Sequence, residues 1–520
     1  MKNRPLIKIM MSLAVLTVLS APVCVQAKPK KVDIDTSIET DRNAGTELYD
    51  TKCYYHNVLP LNISISDGKN SDVLHDERYS TSLSLAEGTK IEVSSDVNMH
   101  GLYVIWDSMV PEWTLIIGDE SYTYGKYGYL HEYIELPTET KNCTIVIPNG
   151  YNDVERGITN MRISDIIAFD SAELPEWVQV WEPVCEEADM LVFSTHADDE
   201  HIFFGGILPI YQAERNIRVQ YIYFTTYWND PAQHIREHEK LNGLWLAGCK
   251  YYPIMGPFDD AWADNYEQAA SRISEEDARK YLVSCIRRTH PQVVVTQDIE
   301  GEYGHGQHIF MTGNAIEAIT LATDENFDPE SALAYGTWDT PKFYVHIYGE
   351  NQIKFDMRTP LDSFNGKRAI DVARQAYLCH QSQQWCDFSV NDYGPYDAAL
   401  YGLYRTNVGF DVNHNDFMEN IVSYDEQAEI KRQEEERIAE EEALKKKQEE
   451  EEQARKAKEE AERAQQALEE EKEAEENKSL SFEEIFIIIA VVIGIMMTGA
   501  FVFVMINGKN KTKKKHGRRR

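Results

Sequence analysis

The chain is predicted to contain an α/β domain with a Rossmann-like, mostly parallel sheet, preceded by an all-β sandwich and followed by a charged helix and an apolar segment. Three observations support this prediction. Apolar runs alternate with helical patterns over residues 185–415, short strand-like runs recur over residues 45–172, and residues 424–480 contain neither glycine nor proline. Alternating strands and helices are typical of parallel sheets covered by helices, whereas regular short strands are typical of sandwiches.

Residues 1–27 have the pattern of a secretory signal peptide. Lys2, Arg4 and Lys8 precede an apolar stretch, and small residues follow near Ala27. Such a segment is removed from the mature protein and is therefore set aside from the fold. An N-terminal membrane anchor is the alternative, although the apolar stretch is short for a spanning helix.

The segment at 45–172 shows strand-like runs separated by turn residues, without helical periodicity. This organisation resembles the galactose-binding-like jelly rolls that accompany carbohydrate-active enzymes, which implies a sugar-binding role. Aromatic residues such as Trp106 and Trp113 could stack on sugar rings or belong to the core of the domain. The predicted strands lie at 61–65, 90–93, 102–106, 113–117, 133–136, 144–147 and 163–169.

The segment at 185–415 alternates strands with helices. Ligand sites in sheets of this kind lie at the carboxyl ends of the strands. The predicted strands lie at 190–195, 219–226, 251–255, 292–297 and 343–348, and the predicted helices at 200–215, 234–249, 275–288, 308–323 and 369–383.

Polar clusters follow two of these strands. An acidic turn after a strand is by itself most often a helix cap or a solvated loop. Two clusters at matching strand ends favour a metal site instead, and the mixture of histidine and carboxylate favours Zn²⁺, with Fe²⁺ or another divalent ion possible. The clusters are His196, Asp198, Asp199 and Glu200 after the first strand, and Asp298, Glu300, Tyr303, His305 and His308 after the strand at 292–297.

Three common alternatives are disfavoured by the sequence. No GxGxxG follows the first strand, which argues against a dinucleotide site, and no GxSxG is present, which argues against an α/β-hydrolase. The net charge of -35 argues against a nucleic-acid partner, because a phosphate backbone requires a basic surface.

Four short motifs resemble those of one known family. The sequence THADDE at 195–200 resembles the AHPDDE signature of the PIG-L (LmbE-like) zinc deacetylases, which remove N-acetyl groups from N-acetylglucosaminyl compounds. YGHGQH at 303–308 is similar to the YGHPDH segment of that family. REHE at 236–239, with LAG at 246–248, resembles its RxxE and LG helix, and HQSQ at 380–383 resembles its HxSQ.

The resemblance implies a zinc-dependent N-deacetylase and a role for each motif residue. It implies that His196, Asp199 and His308 bind zinc and that Asp198 is the general base. It also implies that His305 and Tyr303 stabilise an oxyanion. Arg236 would bind a substrate oxygen or pair with Glu239 along its helix.

The sequence departs from the family pattern at two positions. Ala197 replaces a proline, which leaves every ligand type in place. Gln307 replaces an aspartate, and we expect this neutral amide to orient His305 without supporting its positive charge, with lower activity or a different pH optimum.

The C-terminal segments predict attachment to a membrane. Residues 424–480 should form a charged helical stalk, with a coiled coil or a disordered linker as alternatives. Residues 485–506 are 22 residues without a charge and are predicted to form a transmembrane helix, with a buried core helix as the alternative. The basic residues at 507–520 would then lie in the cytoplasm. The predicted localisation is the cell membrane, single-pass, with extracellular N-terminal domains.

These patterns together predict a cell-surface, metal-dependent hydrolase that removes N-acetyl groups from an N-acetylated sugar or envelope glycan. A non-catalytic glycan-binding surface protein with a degenerate deacetylase domain is the alternative from another class. An amidase that acts on a small thiol conjugate would keep the chemistry but fits a long outward stalk poorly.

Overall fold

The computed structural model describes residues 58–108, 110–148, 161–230, 233–476 and 482–509. The predicted signal peptide at 1–27 lies outside the described residues, as does the predicted basic tail from residue 510 onward. The described residues up to Gln427 form one compact unit, and those from Ala428 form a second.

The first half of the large unit is an antiparallel sheet. Its strand order is β2-β7-β3-β6-β4-β5, and β1 pairs with β3. The strands are β1 (Asn62–Ile65), β2 (Leu83–Leu85), β3 (Lys90–Trp106), β4 (Trp113–Ile117), β5 (Glu120–Tyr124), β6 (His131–Val146) and β7 (Met161–Phe169).

Hydrogen bonds join these seven strands into one sheet, whereas the sequence predicted a sandwich of two. The four short strands predicted at 90–93, 102–106, 133–136 and 144–147 are parts of the two long strands β3 and β6. Between Ser94 and Gly101 the pairing of β3 with β6 shifts register, and irregularities of this kind allow a long strand to bend. Trp106 and Trp113 are fully buried, so these two rings belong to the core rather than to a sugar-binding surface.

The second half of this unit contains a six-stranded mixed sheet of order β14-β15-β13-β12-β8-β9. The four strands β13, β12, β8 and β9 are parallel, and β15 runs antiparallel to both β13 and β14. The strands of this sheet are β8 (Met190–Ser194), β9 (Val219–Tyr223), β12 (Val293–Thr296), β13 (Lys342–His346), β14 (Gln352–Lys354) and β15 (Leu400–Thr406). The short strands β10 (Thr225–Thr226) and β11 (Phe258–Asp259) form a separate two-stranded parallel sheet.

Helices connect these strands. The helix predicted at 200–215 is interrupted, because residues 203–206 form a turn and a π-helical segment follows at Leu208–Glu214. A Cβ atom at Gly206 would lie 2.4 Å from the ring of Phe355, so close packing requires glycine there. The α-helices are α1 (Asp199–Ile202), α2 (Arg236–Leu246), α3 (Tyr266–Ala270), α4 (Glu275–Thr289), α5 (Gly306–Leu321), α6 (Pro329–Tyr335) and α7 (Ala369–Tyr377).

The topology brings two strand ends together. After β8 the chain enters β9 on one side, whereas β12 pairs with the other side of β8. The strand order therefore reverses at β8 and β12, and the carboxyl ends of such neighbours form a crevice in which α/β sheets bind ligands. Both predicted polar clusters follow these two strands.

The C-terminal part is helical. The helix α8 (Tyr424–Glu476) covers most of the predicted stalk, and α9 (Phe482–Lys509) covers the predicted span at 485–506. The apolar residues of α8, such as Ile430 and Leu444, are exposed, and its role as a stalk stays a prediction.

The predicted membrane attachment is wrong for the part of the chain that the structure describes. Among these residues no helix is long and apolar enough to cross a membrane, which contradicts the predicted single-pass localisation.

Candidate metal centre

The loop after β8 is held in an unusual conformation by its own side chains. Asp199 Oδ2 accepts a hydrogen bond of 2.7 Å from the His196 backbone N–H, and Glu200 Oε2 accepts one of 2.7 Å from the Asp198 backbone N–H. Asp198 has φ 103°, a value that side-chain-bearing residues rarely adopt. The loop therefore stores backbone strain at the predicted site, as functional loops often do.

Three side-chain atoms from the two clusters converge in the crevice. His196 Nδ1 lies 2.9 Å from His308 Nε2 and 3.4 Å from Asp199 Oδ2, and His308 Nε2 lies 3.2 Å from the same carboxylate oxygen. All three residues are buried. Ligands placed about 2.0–2.2 Å from a tetrahedral ion lie about 3.3 Å from one another, so these spacings fit a shared ion.

The outer nitrogen of each histidine indicates where its proton lies. His196 Nε2–H donates to Gln307 Oε1 over 2.9 Å, and the Gln307 amide is fixed because its Oε1 also accepts from Ala261 N–H and its Nε2–H donates to Asp259 O. His308 Nδ1 lies 2.9 Å from Glu302 Oε2. Protons on both outer nitrogens alone would leave two lone pairs that face each other and the Asp199 carboxylate.

A cation at the centre would relieve this repulsion. Burial alone would lower the pKa of His308, but Asp199 and Glu302 raise it to about 10, which means that the surroundings favour a positive charge there. A divalent ion would supply this charge in place of the proton. His305, which also lies close to His196 and His308, is a further possible ligand of the same group.

Asp198, a residue of this loop, is in contact with Arg236. Burial raises the pKa of Asp198 to about 7, although Arg236 opposes this shift. Arg236 Nη2 lies 3.5 Å from Asp198 Oδ1, and Arg236 Nη1–H donates to Asp260 Oδ2 over 3.1 Å. The predicted alternative partner of Arg236, Glu239, accepts hydrogen bonds from Ser382 instead.

His305 and Tyr303 lie beside the three converging atoms. The His305 ring centre is 4.8 Å from that of His196, and burial together with the neighbouring histidines lowers the pKa of His305 to about 2. His305 is therefore neutral. The Tyr303 ring centre is 5.7 Å from that of His305, and its ring packs on Phe388 at 4.9 Å.

The HQSQ segment at 380–383 contacts the loop after β8 through His380. His380 Nε2 lies 2.6 Å from Glu200 Oε1, and both residues are buried. Because Glu200 also binds the Asp198 backbone, this contact supports the strained turn from outside the centre.

The structure corrects the expected partner of Gln307. The sequence predicted that Gln307 orients His305, but its amide oxygen accepts from His196. Residue 307 is the second residue of α5, and its side chain is directed toward the β11 region rather than along the loop to residue 305. A neutral acceptor is sufficient for this task, because the proton on His196 Nε2 needs an oxygen and not a charge.

Two acidic residues that contact the site were not predicted from the sequence. Asp260 lies 3.5 Å from His196 Nε2 and binds Arg236, and Glu302 joins His308 to His346. The Asp259–Asp260 pair at the end of the short strand β11 was a weak signal for the first. Glu302 lies in the sequence between members of the second cluster and directly before the YGHGQH motif, so the resemblance did not include it.

Comparison with known proteins supports the match of motifs. Residues 191–319 match the family PIG-L, described as GlcNAc-PI de-N-acetylase. A 1D-myo-inositol 2-acetamido-2-deoxy-alpha-D-glucopyranoside deacetylase 1 of Catenulispora acidiphila is 28% identical over 178 residues, which cover 30% of this chain and 54% of that protein. The protein of the same name from Frankia casuarinae is 34% identical over 99 residues, covering 19% and 31%. The chain thus spans about half the length of the first of these relatives and about a third of the second.

Among solved structures, N,N'-diacetylchitobiose deacetylase from Pyrococcus horikoshii aligns with 20% identity and a TM-score of 0.29, covering 37% of this chain and 70% of that one. The conserved protein TT1542 from Thermus thermophilus aligns with 22% identity and a TM-score of 0.27, covering 38% and 80%. The predicted family is confirmed by the match over residues 191–319. This segment of the chain is a PIG-L domain.

Proposed function

We propose that the chain is a metal-dependent hydrolase that removes the acetyl group from an N-acetylglucosamine-type sugar. The observation that carries this proposal is the convergence of His196 Nδ1, His308 Nε2 and Asp199 Oδ2 within 2.9–3.4 Å of one another, with the outer nitrogens directed at acceptors. The names of the relatives, which are deacetylases of a glucosamine-containing compound, support the same reaction.

His196, Asp199 and His308 would hold the ion, for which Zn²⁺ is the best candidate. Two imidazoles and one carboxylate are a common three-residue set for catalytic zinc. When bound, zinc supplies a Lewis acid that polarises a carbonyl and lowers the pKa of water toward 7.

Asp198 is the proposed general base. Its pKa of about 7, raised by burial, suits a group that must accept a proton from water and release it to the departing amine near neutral pH. The close approach of Arg236 to the Asp198 carboxylate fixes its orientation.

His305 and Tyr303 are proposed to bind the oxyanion that forms when water attacks the amide carbon. The neutral His305 ring can donate one hydrogen bond, and its Nδ1 has no partner among the described residues. A donor that is already in place stabilises the charge as it develops. The phenol of Tyr303 remains protonated, since burial raises its pKa, and it can donate a second hydrogen bond.

The sugar is proposed to stack on Trp262. This indole is 60% exposed, its ring centre lies 4.5 Å from that of His305, and its Nε1–H donates to Asp264 Oδ1 over 2.8 Å, which fixes the ring. An exposed, fixed aromatic face beside the reacting atoms suits the apolar face of a pyranose.

The test is acetate release by the full chain from a panel that contains N-acetylglucosamine, its short β-1,4 oligomers and N-acetylmuramic acid. We expect release from at least one glucosamine derivative and a strong decrease in the Asp198→Asn variant. A chain that binds these sugars without releasing acetate would contradict the proposal and favour the non-catalytic glycan-binding alternative.

A further inference from the structure

The antiparallel sheet and helix α2 meet at a buried polar junction. Asp107, which directly follows β3, contributes the central carboxylate of this junction and is buried. Asp107 Oδ1 lies 2.8 Å from His234 Nδ1 and 3.3 Å from His238 Nε2, and Oδ2 lies 3.0 Å from Arg162 Nη2. This carboxylate thus binds the first turn of α2 through His238 and the turn that precedes α2 through His234.

The second nitrogen of His238 also binds the sheet. His238 Nδ1 lies 2.9 Å from Nε2 of His131, the first residue of β6. Because Asp107 favours the proton on His238 Nε2, the Nδ1 atom accepts, and His131 Nε2–H donates. Tyr79 stacks on both rings, with ring centres 5.3 Å from His131 and 5.0 Å from His238. Both ring nitrogens of His238 therefore contact residues of the antiparallel sheet or directly beside it.

Arg236 stands between the two histidines along the chain, and its side chain is directed at the candidate metal centre. Its guanidinium donates to Ala197 O and Asp260 and lies 3.5 Å from Asp198 Oδ1. A movement of α2 would therefore move the guanidinium relative to the carboxylate that is proposed to act as the base. Buried polar groups that bind both a helix and the turn before it allow little movement of this kind.

We propose that Asp107 is a positioning residue for the deacetylase site: it fixes α2 through His234 and His238 and thereby holds Arg236 against Asp198. The antiparallel sheet is then part of the catalytic unit and not a separate binding module. The kinetic test of this inference rests on the proposed function, whereas the hydrogen-exchange test of α2 does not.

Asp107→Asn tests the role of the carboxylate, and Glu132→Gln is the matched control. Glu132 is also a buried carboxylate of the sheet, but it accepts from Trp113 Nε1–H at 2.8 Å and Gly125 N–H at 2.9 Å, both within the sheet. The first readout is amide hydrogen exchange in α2. We expect exchange at Arg236–Leu246 to rise at least tenfold in Asp107→Asn and to stay within twofold of the wild type in Glu132→Gln.

The second readout is the kinetics of acetate release. We expect Asp107→Asn to decrease kcat/KM at least fivefold and to show no further effect in the double variant with Arg236→Ala, because both changes remove the same contact. If Asp107→Asn does not fold, His234→Ala, which removes one contact of the junction, is measured in the same way.

Unchanged exchange in α2, equal effects of Asp107→Asn and Glu132→Gln, or independent effects of Asp107 and Arg236 would each overturn the positioning role. A wild-type chain that releases no acetate would overturn the proposed function, and the exchange data would still decide whether Asp107 fixes α2.

Discussion

His196 Nδ1 and His308 Nε2 face each other at 2.9 Å, and each ring places its other nitrogen beside an oxygen, Gln307 Oε1 or Glu302 Oε2. Two neutral imidazoles cannot form a hydrogen bond when both carry the proton on the outer nitrogen. Together with Asp199 Oδ2, the pair offers three electron-pair donors to one point. This arrangement would allow one cation to join the two strand ends.

His308→Ala should remove the metal. The substitution leaves one imidazole and one carboxylate, and a two-residue site holds zinc weakly. Elemental analysis of the purified chain should give about one equivalent of zinc for the wild type and almost none for the variant. His414→Ala changes an exposed histidine of the same unit and should keep the full metal content. Equal zinc content in both variants would show that His308 is not a ligand.

Asp198→Asn should keep the metal and lose turnover. Loss of a positioned general base decreases the rate by about 10²–10⁴-fold, whereas the three ligand atoms stay unchanged. Acetate release and zinc content are measured on the same sample. Asp387→Asn, which changes an exposed aspartate, is the control and should retain activity. Wild-type rates in Asp198→Asn would rule out this residue as the base.

Gln307→Leu should weaken metal binding without removing a ligand. The leucine leaves His196 Nε2–H without its acceptor, and loss of such outer partners typically decreases metal affinity about 10–100-fold. Gln307→Glu keeps an oxygen at this position and should bind zinc about as tightly as the wild type. Competition with a zinc-binding dye gives both affinities. If the leucine variant retains wild-type affinity, the amide does not orient His196.

Trp262→Ala should weaken sugar binding more than it slows the reaction. Loss of one stacking face costs on the order of 1 kcal/mol, or about a fivefold increase in KM, with little change in kcat. Trp262→Phe should restore part of the affinity. Phe410→Ala, at a 65% exposed aromatic residue outside the candidate site, serves as the control. A decrease confined to kcat would place Trp262 in the reaction rather than in sugar binding.

Asp165→Asn should change how stability depends on pH. Burial, together with nearby Asp76, raises the pKa of Asp165 to about 8, so the folded chain holds this proton more tightly than the unfolded chain, whose aspartates titrate near 4. The favourable contribution is complete below pH 4 and is lost as the pH rises from about 4 to about 8. Denaturant unfolding at several pH values should show a smaller decrease in stability over this range for Asp165→Asn. Identical slopes would contradict the raised pKa.

The motif spacing in the sequence predicted which segments meet but not all of their contacts. THADDE at 195–200 and YGHGQH at 303–308 follow β8 and β12, which are neighbours in the sheet, as the alternation of strands and helices indicated. The partner of Gln307 could not be predicted, since it depends on how the first turn of α5 is rotated toward Asp259. The role of Asp260 depends on a strand of two residues, which is too short to have a periodicity.

The antiparallel sheet was harder to predict, because its long strands and its contacts with the rest of the unit are not marked by a local sequence pattern. Short apolar runs within β3 and β6 are separated by polar residues, so each long strand has the pattern of two. The junction at Asp107 joins residues that are more than a hundred positions apart, and no local pattern marks such a contact.

The central claim is tested most directly by acetate release from an N-acetylglucosamine oligomer before and after removal of the metal. The full chain is treated with a chelator, dialysed and reloaded with Zn²⁺, and zinc content is measured at each stage. We expect activity to disappear with the metal and to return in proportion to the zinc bound, up to one equivalent. Acetate release that persists in the metal-free chain, or a zinc-loaded chain that releases none, would contradict the account.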